Sequence, residues 1–153
     1  MTQTTIPTRD RPTGFTVVAV LLALTALFTM VFWIVFFADT AAQADSFLAR
    51  QSACWYAWER SFPLADAWMA AAALIGALGL MRMRSWGLLF CELAGSALVF
   101  LGLMDILFFV QNGLYLHFNA DVAVEAFIHA WVTGFGVFVI AYVWKRRGLV
   151  SSQ

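Results

Sequence analysis

Charge is scarce in this chain. Asp, Glu, Lys and Arg make up only 12% of its 153 residues, roughly half the share of a soluble domain. Nine basic residues face nine acidic ones, so the basic surplus of a nucleic-acid binder is missing. Histidine and cysteine occur twice each, and there is no C-x-x-C, which argues against a thiol oxidoreductase. No internal repeat is visible, which leaves inverted-repeat transporter folds without support. No stretch shows the two-residue alternation of a membrane β-strand.

What is there is apolar. Hydrophobic residues make up 63% of the chain, and the mean hydropathy is +0.82. These values exclude a soluble globular domain and a disordered tail. Four segments have the roughly 20 apolar residues that a membrane crossing needs: 15–38, 63–81, 86–110 and 122–144. Backbone groups in lipid must be satisfied internally, so each is expected to be a helix. The expected fold is all-α: an up-down four-helix transmembrane bundle over 15–147. A disordered lead is expected over 1–14, a tail over 148–153, and a short interfacial helix in the first outer loop. That loop mixes Phe47, Leu48, Trp55, Tyr56, Trp58 and Phe62 with Asp45, Arg50, Glu59 and Arg60, a composition suited to the interface. It suggests either an aromatic belt or a lid over a pocket.

Basic residues set the expected orientation. Arg9, Arg11, Arg82, Arg84, Lys145, Arg146 and Arg147 all fall on one side of a four-span chain, against Arg50 and Arg60 on the other. The positive-inside rule then places both termini in the cytoplasm, in a cell (inner) membrane. Ala42-Gln43-Ala44 follows span 1 in an A-x-A pattern. The apolar stretch before it, at 24 residues, exceeds the roughly 7–15 of a signal-peptide core, so span 1 is expected to stay attached. Cys54 and Cys91 should lie on opposite sides, too far apart for a disulfide. Cys91 reads as a small packing residue.

Ser61 and Pro63 read as the N-cap and first turn of span 2. Gln111-Asn112-Gly113 reads as a helix end with a left-handed glycine. Phe28, Phe32 and Phe36 share one face of span 1 and are expected to meet lipid or neighbouring helices. Small residues recur every four positions: Ala72/Gly76 and Ala73/Ala77 in span 2, Gly87/Cys91/Gly95 in span 3, Ala126/Ala130/Gly134 in span 4. Such faces suit close helix packing, a partner helix or a homo-oligomer.

Charged groups inside a span are costly, and each is a candidate for function. Asp121, Glu125 and His129 form one stripe on span 4, expected to face a cavity rather than a helix, with Val132 and Gly136 continuing it inward. Asp105 lies near the arc of Gly95 and Gly102, and Asp66 shares a face with Ala70, Ala73 and Ala77. If the helices pack on their small faces, Asp66, Asp105, Glu125 and His129 meet in the outer half, with Arg60 as counter-ion. Helix-end acids with local partners are the structural alternative, since Asp66 also suits a helix N-terminus. A polar-headed cavity for a lipid or apolar ligand and a proton or solute pathway are further readings. A metal site on Glu125, His129 and Asp105 is another, because the first two have ligand spacing. Glu92 stands apart as a secondary candidate, close enough to Arg82 or Arg84 to pair with one of them. No cofactor is expected.

The stretch Phe62-Pro63-Leu64-Ala65-Asp66-Ala67-Trp68 resembles a family of small bacterial integral membrane proteins. The run from Ala94-Gly95-Ser96 to Leu103-Met104-Asp105 extends that likeness. It implies four spans and no particular chemistry. Leu88-Leu89-Phe90-Cys91-Glu92-Leu93, with Asp39, is similar to segments of the emopamil-binding and sigma-2 receptor superfamily. That likeness implies four spans with membrane-embedded acids around an apolar ligand cavity. Here the matching acid falls on span 3 rather than span 2. From the residues themselves, a non-enzymatic lipid- or partner-binding protein is expected. The alternative is an enzyme or carrier using the outer acid/His cluster on an amphiphilic molecule.

Overall fold

A computed structural model describes residues 11–150. Seven helices follow in order: α1 (Thr13–Ala38), α2 (Thr40–Ala44), α3 (Phe47–Gln51), α4 (Trp55–Glu59), α5 (Pro63–Met81), α6 (Ser85–Gln111) and α7 (Ala120–Arg146). Short 3₁₀ turns span Leu114–Leu116 and Arg147–Leu149. Four helices are long and apolar enough to cross a membrane. They run up and down as α1, α5, α6 and α7, and the chain is a multi-pass membrane protein. The first outer loop is helical as expected, and its three short helices, α2–α4, form a cap over the end opposite the termini. Helix α1 begins at Thr13, two residues inside the expected lead; positions 1–10 lie outside the described residues. Val150, in the expected tail, is buried against the bundle, and 151–153 lie outside the described residues.

Small residues govern the packing. Helix α1 lies on α5, α5 on α6 and α6 on α7. Gly79 and Gly87 bring the α5 and α6 backbones together, and a Cβ on Gly87 would sit 2.5 Å from the Gly79 Cα. Gly76 meets Cys91, which is buried; Cys54 is exposed, and both thiols are free. Gly136 on α7 fits against Gly95 on α6, and Thr133 against Gly102. These contacts revise the expected faces of α7. The Val132–Gly136 edge packs on α6, while Ala130 and Gly134 are exposed and a Cβ on Gly134 would meet nothing within 4 Å. The α6 surface decides this, because its glycines lie opposite residues 132, 133 and 136.

The termini end is closed by Phe15 against Tyr142, with ring centroids 6.1 Å apart. Arg11 donates to the Met81 carbonyl, so Arg11 lies beside the α5–α6 turn. At the capped end, Trp33, Phe36, Trp55, Phe108 and Phe109 form a second core. Ser52 Oγ bonds Asn112 Oδ1 at 3.0 Å, tying the cap to the end of α6. Gly113 takes the left-handed φ of 65°, which costs glycine least. Ser61 does not cap α5. Its hydroxyl donates to the Ala57 carbonyl, because Phe62 stays in helical conformation between α4 and α5.

Candidate functional site

Helices α1 and α7 touch near the termini end and part towards the cap. Trp131 Nε1 donates to Thr25 Oγ1 across 3.2 Å and marks where they separate. Beyond it lies a cavity of about 590 Å³ lined by all four long helices and the cap. Its walls are apolar, with Met69, Leu101, Ile128 and Val132 among them. Its rim includes Phe28, Val124 and Phe127. These are 67%, 58% and 68% exposed, so the mouth opens sideways between α1 and α7. Phe36, from the same α1 face as Phe28, is instead buried in the capped-end core.

Glu59, Asp66, Asp105 and Glu125 also line this cavity, one each from α4, α5, α6 and α7. Indole donors hold two of them. Trp33 Nε1 donates to Asp66 Oδ2 at 2.8 Å, and Trp58 Nε1 to Asp105 Oδ1 at 3.3 Å. Asp66 thus takes its side-chain bond from α1 rather than from the N–H groups of its own helix end. Glu125 Oε2 lies 3.8 Å from His129 Nε2. His129 is buried behind Glu125 and does not line the cavity; its Nδ1 is 2.7 Å from the Tyr115 hydroxyl. With its proton on Nε2 towards Glu125, the imidazole accepts the tyrosine O–H at Nδ1.

Glu59 was not singled out as a site residue in the sequence. Helix α4 explains its position. Trp55 is buried and Trp58 stacks on Phe108 at 4.7 Å. Glu59, four residues after Trp55 and next to Trp58, falls on that same inward face. Arg60 lies over the Tyr56 ring at 5.4 Å, four residues back on the other face. Arg60 is therefore not the counter-ion of the acids. The signal was the spacing Trp55, Trp58, Glu59, which becomes informative once the tryptophans are known to anchor α4.

Glu59 keeps its proton well above the ordinary carboxylate range. Burial is the main cause, followed by the neighbouring charges of Glu125, Asp105 and Asp66. Tyr115, in the 3₁₀ turn, is also raised, first by burial and then by Asp105 and Glu125.

Asp121 lines a smaller chamber of about 270 Å³ with Gln43, Ser46 and Trp55. Phe32, Val124 and Glu125 border both chambers, so Glu125 stands between the lateral cavity and the smaller chamber under the cap. Asp39 accepts from the Ala42 N–H as the cap of α2. Glu92 lies 13 residues before Asp105 on α6, about 20 Å along the helix at roughly 1.5 Å per residue. It does not line the cavity, and neither Arg82 nor Arg84 is paired with it among the described residues. No three His, Cys, Asp or Glu side chains among the described residues are grouped to hold a metal ion. Glu125 and His129 adjoin, but Asp105 does not complete a ligand set with them.

No family model, curated protein or solved structure matches this chain.

Proposed function

We propose that this is a non-enzymatic membrane protein that binds an amphiphilic molecule, entering sideways between α1 and α7. The polar head lies among Glu59, Asp66, Asp105 and Glu125, and the apolar part lies along Leu101, Ile128 and Trp131. The carrying observation is one cavity that joins an acid-lined end to an apolar mouth on the lipid-facing side. Its volume, about 590 Å³, is ordinary for small-molecule sites, which run roughly 300–1,000 Å³. The smaller chamber beside Glu125 favours a second reading, a carrier that passes the amphiphile between lipid and the capped-end aqueous phase.

The test is gentle extraction from the native membrane into nanodiscs, followed by mass spectrometry of what remains bound. A stoichiometric amphiphile is expected. Ile128→Trp, which fills the wall, should reduce its retention at least about tenfold, a loss near 1.4 kcal/mol. Leu103→Trp, on an exposed surface away from the cavity, should not. Equal retention in both variants would overturn the reading.

The membrane in this proposal is a bacterial inner membrane, with both termini cytoplasmic. Arg11, Arg82, Arg84, Lys145, Arg146 and Arg147 sit at or beside the termini end of the up-down bundle, which supports that orientation. Reporter fusions after residue 153 should be active as a cytoplasmic fluorescent protein and inactive as a periplasmic phosphatase; the reverse pattern would refute it.

A further inference from the structure

The acids of the cavity differ in what they already hold. Asp66 has the Trp33 indole, Asp105 has the Trp58 indole, and Glu125 has His129 beside it. Glu59 has no hydrogen-bond or ion-pair partner among the described residues, although its side chain is partly buried in the cavity wall. It faces the cavity. A buried, unpaired carboxyl is expensive to ionise, and its remaining outlet is whatever occupies the cavity.

The surroundings of Glu59 contain no compensating charge. Helix α5 presents Asp66, α6 presents Asp105, and α7 presents Glu125 with His129 behind it and Asp121 further out. The turn after α6 adds Tyr115. Helix α1 presents Phe28, Thr29 and Phe32, none of them titratable. On its own helix end, Arg60 is turned onto Tyr56. No lysine or arginine lines the cavity among the described residues. An anionic head would meet four acids and no cation; a cationic head would meet the charge it needs.

We propose that the cavity takes a positively charged amphiphile and exchanges it for a proton: the cationic head settles among Glu59, Asp66, Asp105 and Glu125, and the Glu59 carboxyl releases its proton as the head arrives. This rests on the amphiphile-binding reading above and names the ligand's charge. The exchange balances, since one positive charge enters and one proton leaves. The smaller chamber meets the cavity at Glu125 and places Gln43, Ser46 and Asp121 among apolar walls, so polar groups lie between Glu125 and the capped end.

The test uses the full chain in uncharged phosphatidylcholine nanodiscs, with empty nanodiscs as the baseline. The probe is dodecyltrimethylammonium, whose charge does not titrate, and dodecanol is the neutral comparison. Calorimetry in two buffers of different ionisation heat counts protons released. In the wild type, about one proton per bound probe is expected, with affinity rising up to about tenfold per pH unit while Glu59 still holds its proton. Glu59→Gln should bind the probe with clearly less proton release than the wild type and a weaker pH dependence; equal release in the two would overturn the role given to Glu59. Binding of dodecyltrimethylammonium without proton release in the wild type would overturn the exchange. Binding of dodecanol with rejection of the cation would overturn the charge assignment and leave amphiphile binding standing. Failure of both probes to bind above the empty nanodiscs would remove the amphiphile reading itself.

Discussion

Gly87→Ala is expected to destabilise the bundle by about 2–3 kcal/mol, the upper part of the range for forcing an atom into a filled interior. The added Cβ would lie 2.5 Å from the Gly79 carbonyl carbon and Cα, and 2.7 Å from the Leu80 nitrogen. All three are backbone atoms, so no side chain can swing aside. Relief requires α5 and α6 to separate, and that also loosens Gly76 against Cys91, about one turn away on the same interface. Gly134→Ala is the matched control. Its Cβ would meet nothing within 4 Å, and its effect should stay within about 0.5 kcal/mol. Denaturation by rising SDS in mixed micelles, followed by tryptophan fluorescence, measures both. Equal midpoints for the two variants would show that α5 and α6 do not approach at Gly79 and Gly87.

The four spans were legible because length and hydropathy are local properties, and the helix ends depart from expectation by only a few residues. Faces are harder. Periodicity on α7 shows that Asp121, Glu125 and His129 share a stripe, and that Ala126, Ala130 and Gly134 share another. Which stripe meets α6 depends on the opposing surface, where Gly95 and Gly102 accept Gly136 and Thr133. A single helix carries no record of that. As a result, His129 packs behind Glu125 against Phe109 and Tyr115 rather than facing the cavity. Glu59 and Arg60 show the same difficulty over one residue. Adjacent helical positions point about 100° apart, so an acid and a base side by side in sequence take opposite roles. Trp55 and Trp58 decide between them by burying one face of α4. Asp66 and Asp105 were easier to place, because small residues on their own helices mark the inward arc.

The pH dependence of stability should reveal Glu59 without any ligand. In the unfolded chain this group loses its proton near its ordinary value of 4.5; in the folded protein it keeps it to well above that. Between those two points the folded state binds more protons than the unfolded state, so stability falls as pH rises. The slope attributable to this one group is at most about 1.4 kcal/mol per pH unit. It vanishes below the unfolded value, where both states are protonated, and above the folded value, where both are ionised. Glu59→Gln removes the contribution, since the amide cannot ionise and keeps much the same shape. The variant and the wild type should therefore match at acid pH and diverge as pH rises, with the variant the more stable. SDS denaturation midpoints taken in steps across that range measure the divergence. A variant that instead becomes the less stable form at high pH would mean that ionised Glu59 already has a stabilising partner. The cavity would then hold its compensating cation before any amphiphile arrives, and the unpaired carboxyl would not be the feature that selects one.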